Sequence, residues 1–446
     1  MSAHGAAPSV QELVRGVVAL ACVVGVRLLL ERIGVPGSAG PLFALGFLVV
    51  AGYVCGGIAA FLRLPRLTGY LLAGLAAGPQ GAGLIDSHDV KALMLVNTLA
   101  LALIALQAGA EITLPVLRRS WWSVSASALA QLAIVIPGVG LAFWGLSSTL
   151  PFTEGLSTTG MLVVALLWGT LAFTRSPSVT IAVLAETRAK GPLTDWSIGI
   201  VVLLDVLILP IFAIVLGVTK SELVGDELHL DMLATLGHEL FSSVAAGVTL
   251  GLAVGALLRF VDRERVLVLV VFSYGVTALC TYLGYDTLFV FVIAGFVVMN
   301  LTRSGAPLMS ATESTSGIVM IVFFATAGAK LDLAALYALW PAVLALVVAR
   351  VVASVIAARV GHALAKDPAP VRSNAWLVLV SQAGVTIGLA TIIADSLPGV
   401  GSGFASLCIA VVALNTIVGA ALTKWALARA GEIPQDAPGH DKPEHA

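Results

Sequence analysis

The sequence predicts an all-α polytopic membrane protein of 13–14 transmembrane helices, built as an inverted-topology repeat with two crossed discontinuous helices. Three observations carry this. Of the 446 residues, 59% are hydrophobic and 11% are charged, against roughly 25% charged in a soluble domain. Apolar runs such as Val266–Cys280 are continuous rather than alternating, which selects helices over a β-barrel. Short segments of the first half also recur in the second half, in the same order. The composition excludes a soluble enzyme, a nucleic-acid binder and a disordered chain. A net charge of −1 points to no partner.

A bilayer-crossing helix takes about 20 apolar residues. On that length the spans fall at 13–33, 41–62, 67–85, 92–112, 121–145, 158–185, 197–218, 234–258, 266–283, 287–301, 316–332, 337–364, 374–395 and 404–426. The first contains Arg15 and Arg27 and either spans or lies at the interface. Alternate loops hold Arg63/Arg66, Arg118/Arg119, Arg188/Lys190, Arg259/Arg263/Arg265, Arg303 and Arg359/Lys366/Arg372, with Lys424, Arg429 and Lys442 at the end. The opposite loops hold Arg32, Lys91 and Lys220 and the acids Glu222, Asp226, Glu227 and Asp231. The positive-inside rule then places the C-terminus in the cytoplasm, and a bacterial inner membrane is the expected location. The cysteines (Cys22, Cys55, Cys280, Cys408) lie in apolar runs and read as packing residues. Gly34–Gly40 follows no strand and is no phosphate loop, and His238-Glu239 lacks the second histidine of a zinc-protease motif.

Four segment pairs define the repeat. Ala108–Leu114 (AGAEITL) matches Ala327–Leu333 (AGAKLDL), and Tyr70–Gly74 (YLLAG) matches Phe291–Gly295 (FVIAG). Ser178–Val183 (SVTIAV) matches Gly384–Leu389 (GVTIGL), and Val201–Ile208 (VVLLDVLI) matches Val411–Val418 (VVALNTIV). Matched spans lie seven apart, so the two units have opposite orientation, an arrangement that serves alternating access in transporters. The expected organisation is an extra helix and loop at 1–40, a first repeat at 41–218, a linker helix region at 219–265, a second repeat at 266–430 and a disordered cytoplasmic tail at 431–446.

Transporters of this architecture bind substrate near the midplane, where repeated helices break. The run Phe173-Thr174-Arg175-Ser176-Pro177-Ser178 interrupts the sixth span, because Pro177 removes a donor and disfavours helix at Ser176. Its mate in the thirteenth span is Ser381-Gln382-Ala383-Gly384. Crossing there would leave free carbonyls and N–H groups at mid-membrane, tolerated only where they line a cavity. Asp205 sits in the middle of IVVLLDVLILPIF; a carboxylate at the centre of a span costs ~2.5–3.5 kcal/mol on insertion scales. Its mate Asn415 keeps the polarity without the charge. Arg350, deep in LALVVARVVASVIA, needs an acidic or carbonyl partner. Arg175, on the break itself, could snorkel, pair with an acid or shape the site. Glu111 and Lys330 close the helices of their repeated motifs and read as interfacial.

The chain resembles the monovalent cation:proton antiporters, in the branch with the potassium-efflux and spore-germination type exchangers. Leu64–Gly74 with Gly78-Pro79 resembles "LPxxxGYLLAGxxxGP", and Phe323–Gly328 with Leu331-Asp332-Leu333 resembles "FFxxxGxxxDL". Ser176-Pro177 resembles the "TSPA" break, Gln382–Val385 resembles "PQAGVALG", and Asn415–Ala426 resembles "LNxxxGPxLxxWAL". The resemblance covers about residue 41 to residue 430. It implies a homodimer whose scaffold domain holds still around a core domain with two crossed broken helices. It implies that Asp205 falls on the ion-binding aspartate and holds Na⁺, K⁺ or H⁺, and that Arg350 falls on a buried Lys/Arg position. The site lining expected from the two breaks and the repeat is Thr174, Arg175, Ser176, Pro177, Ser178, Ser381, Gln382, Gly384 and Asn415. Leu204 stands where many members have Asp, Asn or Gln, which favours electroneutral one-for-one exchange, and leaves Glu111 or a carbonyl to serve Arg350. Arg175 stands where the family usually has Thr or Ser.

The expected function is therefore secondary exchange of Na⁺ or K⁺ for H⁺ without a cofactor and without enzymatic chemistry. The cation would take oxygen ligands from Asp205, broken-helix carbonyls and Ser or Thr hydroxyls. Two alternatives stand beside it: a symporter of an organic anion on the same fold, which Arg175 would favour, and a non-transporting membrane sensor.

Overall fold

The computed structural model describes residues 40–434 except 63, 226–230, 262–263, 286, 331–338 and 383, with isolated positions between 18 and 25. The span expected at 13–33 and the tail from 435 lie outside the described residues. Among those residues the secondary structure is helical, without strands. The helices are α1 (Pro41–Phe61), α2 (Arg66–Ala77), α3 (Ser87–Ala92), α4 (Met94–Glu111), α5 (Leu114–Leu146) and α6 (Thr158–Phe173). There follow α7 (Pro177–Thr187), α8 (Pro192–Val224), α9 (Asp231–Phe260), α10 (Arg265–Leu283) and α11 (Thr287–Leu301). The chain continues through α12 (Gly305–Ala329), α13 (Trp340–Ala365), α14 (Ala369–Val378), α15 (Gly384–Ser396) and α16 (Gly401–Ala430). Each expected span from 41–62 onward thus meets a helix or a broken helix pair, and the described residues hold nine stretches long and apolar enough to cross a membrane, one of them the broken pair α6 and α7.

Several boundaries differ from the sequence reading, among them three that follow. The span expected at 67–85 stops being helical at Ala77, because Gly78 is extended and a Cβ on it would come within 2.9 Å of the Ala329 backbone. The boundary expected at 218 falls inside α8, which runs on to Val224 before a left-handed Gly225 ends it. Helix α12 begins at Gly305, well before the expected 316.

The repeat is visible in how the helices pack. Helix α2 lies against α12, and α4 lies against α11. A Cβ on Gly74 would overlap the Ala325 carbonyl, and one on Gly328 would overlap that of Leu71. In the second pair, a Cβ on Gly109 would overlap the Val292 carbonyl, and one on Gly295 that of Leu106. These four glycines are the repeated ones of YLLAG/FVIAG and AGAEITL/AGAKLDL. Each half therefore supplies the partner of the other, in two equivalent glycine-to-backbone contacts. Small residues permit this approach, and close backbone packing is what holds helices together where lipid removes the hydrophobic drive.

Among the described residues the buried apolar side chains form three clusters. The largest draws on α5 to α8 and α13 to α16 and also takes in residues of α2, α4 and α12. Helices α4, α9, α10 and α11 share a second, and α1, α2 and α12 a third. A polar contact at the end of α7 ties it to the start of α2. The Glu186 carboxylate accepts from the Arg66 N–H with both oxygens, at 2.9 and 3.1 Å, and so caps the start of α2. Lys424 of α16 lies 3.8 Å from Glu186 and donates to the Leu64 carbonyl at 3.2 Å.

Because the glycine contacts leave no room for a side chain, Gly109→Val or Gly328→Val is expected to destabilise the fold by about 1–3 kcal/mol or more. Gly145→Ala, with open space around it, is expected to be neutral. Thermal unfolding of the detergent-solubilised variants checks both.

Candidate ion site at the crossing of two broken helices

Helix α6 ends at Phe173, and Thr174 turns extended. Ser176 is extended too, as the residue before a proline prefers, and its hydroxyl caps α7 by accepting from Val179 N–H at 3.2 Å. In the second break α14 ends at Val378 and Gly384 opens α15. The two breaks meet: the Ser176 N–H donates to the Ser381 carbonyl at 3.2 Å. Helix α16 passes hard against the crossing, since a Cβ on Gly419 would come within 2.5 Å of Ser381 Cα.

Arg350, 1% exposed on α13, fastens both breaks. Its Nε donates to the Ala172 carbonyl at 2.9 Å, Nη2 to Thr174 at 2.9 Å and Nη1 to Val380 at 2.7 Å. Of the partners the sequence left open for Arg350, carbonyls fill the role. These groups sit at the C-terminal, negative ends of α6 and α14, where a cation is favoured. Arg175, also 1% exposed, turns back onto the same end. Its Nη1 donates to the Ala172 and Thr174 carbonyls at 2.7 and 2.8 Å. Its Nη2 donates to Gln131 Oε1 at 2.7 Å and Ser354 Oγ at 3.0 Å. Arg175 therefore shapes the break and ties it to α5 and α13.

The remaining polar groups form one chain. Gln382 Nε2 donates to the Leu171 carbonyl at 2.9 Å and to Thr174 Oγ1 at 3.0 Å. Asn415 Nδ2 donates to Gln382 Oε1 at 2.8 Å, and the Thr416 hydroxyl donates to the Gln382 carbonyl. Thr174 and Thr386 hydroxyls lie 2.5 Å apart, and those of Thr180 and Ser381 3.4 Å apart. Ser178 reaches Ser176 Oγ at 3.2 Å. Asp205 lies half-buried in the middle of α8, the helix that follows the first break and packs on α6 and α7.

One expectation is corrected here. The carbonyls of Leu171, Ala172, Thr174, Val380, Ser381 and Gln382 are not free: Gln382, Arg175, Arg350, the Ser176 N–H and Thr416 already donate to them. Buried backbone acceptors need such partners. A carbonyl that faces a guanidinium is a poor ligand for a second cation. Sequence reasoning also missed Gln131, Ser354, Thr386 and Thr416. The signals were present: Gln131 is a lone amide in an apolar run, Ser354 lies one turn from Arg350, and Thr386 is the repeat mate of Thr180.

Arg350 covers three carbonyls with three different nitrogens, which one ammonium cannot reproduce. Arg350→Ala and Arg350→Lys are both expected to lower the thermal midpoint by several degrees, the loss amounting to about 3 kcal/mol or more. Melting curves in detergent check this, and full rescue by lysine would refute the fastening role.

Comparison with known proteins agrees with this fold. The solved sodium proton antiporter MjNhaP1 from Methanocaldococcus jannaschii superposes with a TM-score of 0.65 at 17% identity, covering 88% of this chain and 98% of that one. The protein named iron transporter MagA, from Paramagnetospirillum magneticum (strain ATCC 700264 / AMB-1), is 22% identical over 284 residues. That match takes in 64% of this chain and spans 62% of the length of MagA. The model of the family described as "Sodium/hydrogen exchanger, transmembrane" matches residues 45–429, and the chain belongs to that family.

Proposed function

We propose that the protein is a secondary transporter that exchanges a monovalent cation, Na⁺ or K⁺, for H⁺ by alternating access, with Asp205 carrying either ion. The observation that supports this most is the crossing of two broken helices whose backbone ends are held by Arg175, Arg350 and Gln382, with one membrane-embedded acid on the helix beside it. The mechanism needs only competition. A carboxylate in the membrane interior is costly unless neutralised, so the site crosses loaded with a proton or with a cation, and coupling follows. With Leu204 before Asp205, a single acid supports one-for-one exchange. In this reading residues 41–218 and 266–430 are the two repeats, 219–265 links them, the protein is a homodimer in a bacterial inner membrane, and the C-terminus is cytoplasmic.

The anion-symporter alternative loses its main support. Both terminal nitrogens of Arg175 are already engaged by Ala172, Thr174, Gln131 and Ser354, which leaves little of the guanidinium for a substrate. The side chains around the crossing offer hydroxyl, amide and carboxylate oxygens, the ligands that hard cations take.

The test uses everted vesicles with an acid-inside pH gradient and a pH-sensitive dye. Na⁺, K⁺, Li⁺ and, because of the MagA likeness, Fe²⁺ are added in turn to wild type and Asp205→Asn. Cation-driven alkalinisation by a monovalent ion, absent in the variant, is expected. No response to any monovalent cation from a folded wild type would overturn the reading, and retained function in Asp205→Asn would favour the sensor. One-for-one exchange moves no net charge, so clamping the membrane potential, worth ~2.3 kcal/mol per charge per 100 mV, is expected to leave the rate unchanged. A rate that tracks an imposed potential would refute electroneutrality.

A further inference from the structure

We propose that Asn415 Oδ1 is a fixed ligand of the transported cation, and that Gln382 is the positioning residue that aims it; this rests on the exchange reading above. The argument starts from which end of each amide can face what. The Leu171 carbonyl is only an acceptor, and Gln382 approaches it at 2.9 Å, so the NH₂ of Gln382 must face that way. The same nitrogen reaches Thr174 Oγ1, which donates its own proton to the Leu171 carbonyl at 2.7 Å. Gln382 Oε1 is therefore left facing α16, where Asn415 meets it at 2.8 Å. Two acceptors cannot bond, so Asn415 must present its NH₂ there, and its oxygen points away.

That oxygen is one of the buried polar atoms left unpartnered among the described residues. Asn415 is 1% exposed, and its Oδ1 has no hydrogen-bond partner among the described residues. A buried acceptor left without a donor is costly and uncommon, and this one sits beside the Leu171 and Gln382 carbonyls, which are supplied. The side chain cannot turn to repair it without breaking the bond to Gln382. The Thr416 hydroxyl, one residue on, grips the Gln382 carbonyl, so the backbone of the second break and α16 are locked together. Asn415 is also the repeat mate of Asp205, and the internal two-fold sets their helices against the two breaks in equivalent ways: α8 against α6 and α7, α16 against Ser381. An oriented neutral oxygen in one half and a carboxylate in the other is a donor set for one monovalent cation.

The experiment measures exchange in everted vesicles, and cation-dependent thermal shift on the purified protein, for wild type, Asn415→Ala, Asn415→Asp and Gln382→Leu. Na⁺, K⁺ and Li⁺ are the probes. Asn415→Ala is expected to raise the cation KM about tenfold or more while the maximal rate at saturating cation changes far less. Its thermal stabilisation by the cation should be lost in parallel. Gln382→Leu frees Asn415 to rotate, and is expected to raise KM by a smaller factor and to blur the preference among the three ions. Should Asn415→Ala fail to fold, Asn415→Asp carries the test: a second carboxylate in the ligand shell should lower the cation KM or make exchange sensitive to an imposed potential. Wild-type KM and ion preference in a folded Asn415→Ala, or unchanged KM and potential response in Asn415→Asp, would overturn the proposal. If the wild type exchanges no cation the transport reading fails separately. Cation stabilisation then judges Asn415 alone, and its retention in Asn415→Ala, or its absence in the wild type, overturns the assignment.

Discussion

A helix that stops inside a membrane leaves carbonyls without donors, and the rest of this structure depends on how those carbonyls are answered. Here the answer is two buried guanidiniums, with Gln382, the Ser176 N–H and Thr416 supplying the rest. Arg350 spans both breaks, and Arg175 folds back on the first. Lipid supplies no donor at that depth, so without them neither α6 nor α14 could end where it does. The negative ends of both helices in turn stabilise the guanidiniums, which reach the core without a carboxylate on their described nitrogens. The same arrangement takes up the backbone oxygens of Leu171, Ala172, Thr174, Val380, Ser381 and Gln382 in holding the fold.

Much of this was legible in the sequence. Composition and run length located the spans from 41–62 onward, because a helix in lipid must be apolar along most of its length. Pro177 located the first break, and the repeat located the second. Asp205 and Arg350 stood out because ionisable residues in such runs are expensive to insert. What could not be read was which groups meet. That Arg350 would find three carbonyls rather than Glu111, and that Arg175 would take Gln131 and Ser354, depends on contacts between residues far apart in the chain. Periodicity carries no trace of those contacts. The early end of α2 at Ala77 was missed for the same reason, since Gly78 is held by its approach to Ala329 on another helix.

The polar chain from Leu171 through Gln382 to Asn415 shows how little it takes to orient an amide. One backbone acceptor at one end fixes the direction of every hydrogen bond after it. The two halves are unlike here: the first half contributes an acid at the matched position and the second an amide, so the two-fold of the backbone does not extend to its chemistry.

The reciprocal glycine contacts bear on how the molecule is made. Gly74 and Gly109 belong to the first half, and the backbones they touch belong to α12 and α11, which leave the ribosome some two hundred residues later. Until then the small-residue faces of α2 and α4 have no mate but lipid. Assembly is thus ordered in time: the first half waits in the bilayer, and the second completes it as it arrives. Neither half can complete these glycine contacts by itself, for all that each repeats the other.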